Sequence, residues 1–192
     1  TVIMAWPWGQ YLGEAALTNG VTAKISSYQR VGANVIPHAA KATGVYLNSM
    51  LATTEARRGG YEEAILLSQD GYVADGPGEN VYVVKDGVIH TPPLSTSILA
   101  GITRATVLQI ARDLGYAVQE ASLIRTDLYL AEEVFMTGTA AEVTPVRAVD
   151  DIEIGVGPIT LAVQKAYLDT VNGRDDRWGH WLDVVEGVTA AS

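Results

Sequence analysis

Between residues 63 and 91 the chain commits itself to a sheet. Ala64-Ile65-Leu66-Leu67, Val81-Tyr82-Val83-Val84 and Val88-Ile89-His90 are short apolar runs containing β-branched and aromatic residues, the composition of half-buried or buried strands. Gln69-Asp70-Gly71 and the corner Asp75-Gly76-Pro77-Gly78-Glu79-Asn80 separate the first two runs, and Lys85-Asp86-Gly87 separates the second from the third. An Asp-Gly pair flanked by apolar residues is a hairpin signal. Whatever else the chain builds must pack against antiparallel material.

The remaining periodicities mix helices with further strands. Val21 to Tyr28 alternates as a half-buried strand, and Val31 to Pro37 reads as a loop. Thr1-Val2-Ile3-Met4-Ala5 also reads as an apolar strand, so the chain is expected to begin inside a larger protein. From about Thr43 the pattern is helical, with Leu47, Met50, Leu51 and Thr54 on one face and Gly59-Gly60 as the stop. Gly101 to Leu114 carries Val107, Ile110, Ala111 and Leu114 at helical spacing and is closed by Gly115. Short strands are expected at Tyr116 to Glu120, Glu133 to Thr137 and Val143 to Val149, the last with Pro145 near an edge. Arg125 to Ala131 reads as a helix, and Ile159, Ala162, Val163, Ala166 and Tyr167 mark a final long one. Trp178 and Trp181 are read as packing anchors. The expected fold is α/β (α+β): a mixed, largely antiparallel sheet or barrel core with surrounding helices, in one domain over 1–192.

Composition removes several classes of function. With 192 residues, 48% hydrophobic and a net charge of -9, the chain suits neither nucleic acid nor an anionic membrane surface, both of which favour basic patches. It has no cysteine, which excludes disulfides, thiolate metal sites and a thiol nucleophile. The three histidines, His38, His90 and His180, lie too far apart for a local metal motif and are read as loop or surface residues. There is no apolar span or signal-peptide pattern, so a cytoplasmic location is expected. G-x-S-x-G, a Walker loop and G-x-G-x-x-G are all missing.

Four stretches remain that could carry chemistry, each with a plainer reading. His38-Ala39-Ala40-Lys41-Ala42-Thr43-Gly44-Val45-Tyr46 sets one amine among small residues before a helix. Partial burial would lower its pKa and suit a Schiff-base lysine, although most lysines near helix starts are solvated. Gly101-Ile102-Thr103-Arg104 opens a helix whose free N–H groups could hold a phosphate, or Thr103 is a plain cap. Thr137-Gly138-Thr139-Ala140-Ala141-Glu142 brings hydroxyls to a strand end, a ligand address or a turn. Turn chemistry explains the Gly and Pro of the Asp75 corner without requiring an acid at 75. Together a lysine, an acid and phosphate donors suggest pyridoxal 5'-phosphate.

On these stretches, together with Pro7-Trp8-Gly9-Gln10-Tyr11-Leu12-Gly13, Ile36-Pro37, Thr91-Pro92-Pro93 and Val134-Phe135-Met136, the chain resembles the fold-type IV pyridoxal-phosphate enzymes. Within them it is most similar to the bacterial branched-chain amino acid aminotransferases, and the likeness runs to about Trp181. The resemblance implies that Lys41 forms the internal aldimine and shuttles the substrate proton, and that Tyr46 bonds the cofactor phenolate oxygen. It places Leu99 on the ring face, and Ile102, Thr103 and Thr139 at the phosphate. Thr139 and Ala140 meet the substrate carboxylate, and Trp8, Tyr11 and Tyr46 wall the side-chain pocket. The family acid that bonds the pyridine nitrogen is a glutamate; here it is Asp75, one methylene shorter, and Glu79 is not given that role.

The resemblance further implies transamination of branched-chain L-amino acids with 2-oxoglutarate and glutamate, without a metal, by a homo-oligomer, a dimer or higher. Family members carry a smaller N-terminal domain, so 1–192 corresponds to the C-terminal cofactor domain with that small domain apparently absent. The alternatives are a D-amino acid or amine transaminase or an aminodeoxychorismate lyase of the same fold, or a catalytically silent cofactor-binding fragment.

Overall fold

The computed structural model describes residues 2–4, 6–7 and 11–184. After α1 (Glu14–Asn19) and β1 (Val21–Gln29), the chain runs through two 3₁₀ turns, His38–Ala40 and Thr43–Val45, into α2 (Tyr46–Arg58). β2 (Glu63–Leu67), β3 (Asn80–Lys85) and β4 (Val88–Thr91) come next, then α3 (Ile102–Asp113), β5 (Val118–Glu120) and α4 (Arg125–Tyr129). β6 (Glu133–Gly138), β7 (Glu142–Val149), β8 (Ile152–Glu153) and α5 (Pro158–Val171) complete it before a 3₁₀ turn at Asp176–Trp181.

The strands form one sheet in the order β2-β1-β7-β6-β3-β4-β5, with β8 on β7. The β3–β4 hairpin turns through Asp86 and Gly87, both at positive φ, the backbone that a two-residue Asp-Gly turn needs. β3–β6, β6–β7 and β7–β8 are also antiparallel. Against them stand three parallel pairings, β1 with β2, β1 with β7, and β4 with β5. Parallel neighbours need a crossover, and α2 and α3 supply two of them. The sheet is therefore more mixed than its hairpins suggest. Isolated bridges Leu67↔Val73, Tyr72↔Ile124 and Asp75↔Asn80 draw the β2 edge toward residues beyond β5, which curls the sheet toward a barrel.

Alternation along the central strands divides the core in two. Val81, Val83, Val134 and Met136 join Val21, Ile25 and Ile65 on one face. Tyr82, Val84 and Phe135 meet Val107 and Ile110 of α3 and Val163 and Tyr167 of α5 on the other. Cross-strand partners Tyr82 and Phe135 stack with centroids 4.4 Å apart. Buried Glu133 accepts the N–H groups of Ile159 and Thr160 at 3.0 and 2.6 Å, so a strand side chain caps α5 and fastens it to the sheet.

Several local expectations are corrected. Val2, Ile3 and Met4 lie in no strand and are exposed. Helix α2 turns its apolar face outward: Leu47, Met50 and Leu51 are exposed while Ser49, Ala52 and Ala56 are buried. Small residues on the inner face let the helix sit closely on Ala64 and Leu66 of β2. Pro145 is not at an edge, since β7 lies between β1 and β6; the β1 pairing begins only at Val146, so Pro145 sits outside that ladder. Trp178 is a core anchor that donates Nε1–H to Asp113 at 2.9 Å, whereas Trp181 stacks on it and stays 40% exposed. Among the described residues no helix is long and apolar enough to cross a membrane, and no His/Asp/Glu cluster could hold a metal.

Candidate active site

The corner that joins β2 to β3 makes the floor of an open cleft. Pairing builds the corner: Leu66 N–H donates to Asp75 O, and Gly76 N–H to Glu79 O, both at 2.8 Å. A Cβ on Gly76 would lie 2.7 Å from Glu79 Oε2, so a larger residue there must displace that carboxyl. Lys41, Tyr46, Asp75 and Leu99 all line this cleft. Residues far apart in sequence are thus brought to one cavity.

Lys41 stands between the two 3₁₀ turns with φ 46 and ψ 42, a left-handed conformation unusual for a residue with a Cβ. That backbone aims the segment back across the cleft before α2 begins. The side chain is exposed, not partly buried; the small neighbours leave the amine accessible without covering it. Tyr46, the first residue of α2, lies at 37% exposure on the same wall.

Asp75 is buried, and its partner is a residue that the sequence left unmarked. Arg30 Nε donates to Asp75 Oδ1 at 2.7 Å and Nη2 lies 2.6 Å from the same oxygen. Arg30 also donates to Gly76 O at 2.6 Å and Ser49 Oγ at 3.1 Å. Asn48 of α2 holds the arginine's own segment, accepting Val31 N–H and donating to Gln29 O. Burial pushes the Asp75 carboxyl upward, opposed chiefly by the Arg30 charge. His38, expected in a loop or on the surface, is buried in the cleft wall with Nε2 against Val31 O. His90 is in β4, with Nδ1 buried and unpartnered, and only His180 is exposed.

Leu99 lines the cleft, whereas Ile102 and Thr103 at the start of α3 are not among the residues that line it. Asn80 Nδ2 donates to Leu99 O at 2.9 Å, and a Cβ on Gly101 would come within 2.3 Å of Asn80 Oδ1. The helix start is therefore pressed onto the cleft wall by two close contacts. Gly101 is an extended N-cap with no side-chain cap, which leaves first-turn N–H groups available to an anion. Ile102 is 84% exposed, so its backbone alone can serve there. Thr103 is buried with its hydroxyl against the Tyr167 phenol.

Thr139 and Ala140 are exposed on the β6–β7 turn and do not line the main cleft. The turn nevertheless abuts the corner, since a Cβ on Gly138 would lie 3.0 Å from Gly78 O. Ala140 and Tyr11 share a second, smaller hollow. The Tyr11 phenol is pushed up to about 12 by burial and by the charges of Glu79 and Glu63. Trp8 lies outside the described residues.

The arrangement offers an accessible amine and a buried anion held by a guanidinium in one cleft, with an uncapped helix start next to its wall residues Asn80 and Leu99. This donor set suits a flat, phosphorylated, aldehyde-bearing heterocycle.

Comparison with known proteins gives the geometry a context. A family model described as amino-transferase class IV matches residues 1–149. The branched-chain-amino-acid aminotransferase of Escherichia coli (strain K12) is 52% identical over 188 residues, 96% of this chain and 60% of that protein. The chain therefore spans about three-fifths of the length of such relatives. The solved branched-chain aminotransferase of Thermoproteus uzoniensis with norvaline is 46% identical, with a TM-score of 0.90 over 94% of this chain and 59% of that one. The T.th. branched-chain amino acid aminotransferase complexed with N-(5'-phosphopyridoxyl)-L-glutamate is 49% identical, TM-score 0.83, over 85% and 56% of the two chains.

Proposed function

The chain belongs to the class IV aminotransferases, and from that premise we propose that it is the cofactor-binding portion of a branched-chain amino acid aminotransferase using pyridoxal 5'-phosphate. The observation that carries the reading is the cleft that sets Lys41 and Tyr46 opposite the Asp75–Arg30 pair. When bound, the cofactor supplies an aldehyde for amines and a ring that accepts the electrons left by a departing proton. Lys41 would be the amine that holds that aldehyde, and, once the substrate amine has displaced it, its free Nζ would take the proton from the substrate α carbon and return it. Asp75, held in place by Arg30, would accept a hydrogen bond from the ring nitrogen. The N–H groups of Ile102 and Thr103 would bind the phosphate at the positive end of α3, and Thr139 would add a hydroxyl from the β6–β7 turn. The reaction moves the amino group of leucine, isoleucine or valine to 2-oxoglutarate.

Residues 1–192 act as one C-terminal cofactor domain in this reading, and the whole protein assembles as a homo-oligomer. The outward apolar face of α2, with Leu47 and Met50 at 63% and 64% exposure, supports assembly. A second reading, cofactor binding without turnover, is favoured by the exposure of Lys41 on an open cleft, because water exclusion and substrate positioning need more wall than this.

The test is borohydride trapping after addition of pyridoxal phosphate, with peptide mapping and a leucine half-reaction followed by absorbance. The adduct is expected on Lys41 and to vanish in Lys41→Ala. A persisting adduct at another lysine would overturn the assignment. Trapping without any leucine-dependent spectral change selects the second reading.

A further inference from the structure

The segment that carries Lys41 is an exposed arch with two buried feet. Every residue from Ala39 to Gly44 is exposed, and the first buried residues on either side are His38 and Val45. Backbone bonds along the arch are local: Ala40 N–H donates to Pro37 O, Lys41 N–H to His38 O and Val45 N–H to Ala42 O, each at 3.1 Å. Ala39, Ala40, Ala42 and Gly44 carry no polar side chain that could fasten it. Lys41 nevertheless keeps a left-handed backbone, a conformation that persists in a residue with a Cβ only when the surrounding structure holds it.

One foot is apolar, since Val45 leads directly into α2. The other is a polar ring. His38 is 7% exposed, lines the cleft together with Lys41 and Asp75, and sets Nε2 2.5 Å from Val31 O. A carbonyl only accepts, so Nε2 carries the proton and its partner selects the tautomer. Val31 is itself tied down. Its N–H donates to Asn48 Oδ1 of α2 at 3.3 Å, and the N–H of the preceding Arg30 donates to Leu67 O of β2 at 2.7 Å. The imidazole therefore closes the loop from Val31 to His38 onto the sheet and α2, three residues before Lys41.

We propose that His38 is a positioning residue for Lys41: its Nε2–H bond to Val31 O fixes the start of the arch and so sets where the lysine Nζ meets the cofactor's aldehyde. The consequence for Nζ rests on the cofactor reading above; the anchoring of the arch does not. In that contact Nζ joins the aldehyde carbon and one water leaves. Without the ring's bond the arch opens more often and the amine spends less time aligned with the carbon it must reach.

Three variants separate the bond from the bulk of the ring. His38→Leu keeps a buried side chain with no donor, His38→Gln offers an amide N–H where Nε2 stands, and His38→Asn offers one only where Nδ1 stands. Affinity for pyridoxal 5'-phosphate is measured by absorbance beside affinity for pyridoxamine 5'-phosphate, which has no aldehyde to react with Lys41. His38→Leu should weaken the first about tenfold and the second less than about twofold. His38→Gln should recover most of the loss and His38→Asn should not. Equal affinity for the aldehyde in wild type and His38→Leu overturns the role, and so does a parallel loss of both ligands, which marks general damage to the cleft. Recovery in His38→Asn as full as in His38→Gln overturns the Nε2 assignment. Hydrogen exchange of the ligand-free protein reads the anchor itself: the Ala40 and Lys41 amides should exchange at least about threefold faster in His38→Leu than in wild type, and unchanged exchange overturns the anchoring. If neither ligand binds wild type while the exchange difference holds, the cofactor reading is refuted and the anchor stands.

Discussion

Replacing Arg30 by methionine isolates what holds the cleft floor together. The guanidinium makes two contacts to Asp75 at 2.6 and 2.7 Å and one to Gly76 O at 2.6 Å, and both side chains of the ion pair are under 10% exposed. Methionine keeps most of the apolar stem, so the loss is electrostatic. Removing one partner of a buried ion pair costs about 3–5 kcal/mol, because the other charge stays buried without compensation. Asp75→Asn should cost a similar amount, since Arg30 cannot lose its proton. In the double variant neither charge remains, and the expected loss is about that of one single variant, a coupling of about 3 kcal/mol. The assay is urea unfolding followed by tryptophan fluorescence, at neutral pH and in acid. Without Arg30, the Asp75 pKa rises further above its ordinary 3.8. A folded-state pKa raised in this way contributes stability that is present below the unfolded value and lost as pH rises. The deficit of Arg30→Met should therefore shrink toward pH 4. Single losses below about 1 kcal/mol, or additivity of the two within about 0.5 kcal/mol, would refute the coupling.

The strand-to-helix cap predicts that Glu133→Ala destabilises the protein by about 2–4 kcal/mol, through two charge-assisted bonds to α5 and the lost complement to its dipole; Glu133→Gln should recover part of this in the same urea assay. Gly101→Ala must displace Asn80, because the new methyl would come within 2.3 Å of Asn80 Oδ1. Its expected result is a weakened affinity for pyridoxamine 5'-phosphate of about tenfold with little change in unfolding midpoint, and unchanged affinity would show that the α3 start is not held by that contact. For Asp75→Glu, the visible spectrum of bound cofactor should survive, and for Asp75→Ala it should not; equal spectra would argue against a contact with the ring nitrogen.

Sequence patterning carried the strands and α3, because their apolar periods are the ones that end up buried. It misplaced the face of α2. Periodicity marks that Leu47, Met50 and Leu51 share a side, but small Ser49, Ala52 and Ala56 were the residues that fit against β2. Lys41 and Asp75 were legible through their local settings, and Leu99 through the family resemblance alone. Arg30 was not: it closes a strand and meets its partner 45 residues later, so nothing near it in sequence separates it from a solvated arginine. The parallel pairings were hidden because they depend on crossovers, not on strand composition.

Burial alone does not sort the acids of the floor. Asp75 and Glu79 are equally buried, each 5% exposed, yet only Asp75 has a guanidinium within bonding distance. Burial pushes both carboxyls upward, but at Asp75 the Arg30 guanidinium opposes the push, while at Glu79 the charge of Glu63 adds to it. The two amide substitutions must therefore behave oppositely with pH. Asp75→Asn strands a permanent cation, so its cost is present across the neutral range. Glu79→Gln removes a group whose folded pKa lies above its ordinary 4.5, at about 8. That group disfavours the folded state increasingly as pH rises through the interval, because the unfolded chain releases the proton first. Relative to wild type, Glu79→Gln should be neutral near pH 4 and progressively more stable toward pH 8. A Glu79→Gln protein destabilised equally at both ends of that range would show that the carboxyl is held charged by something other than the residues that face it.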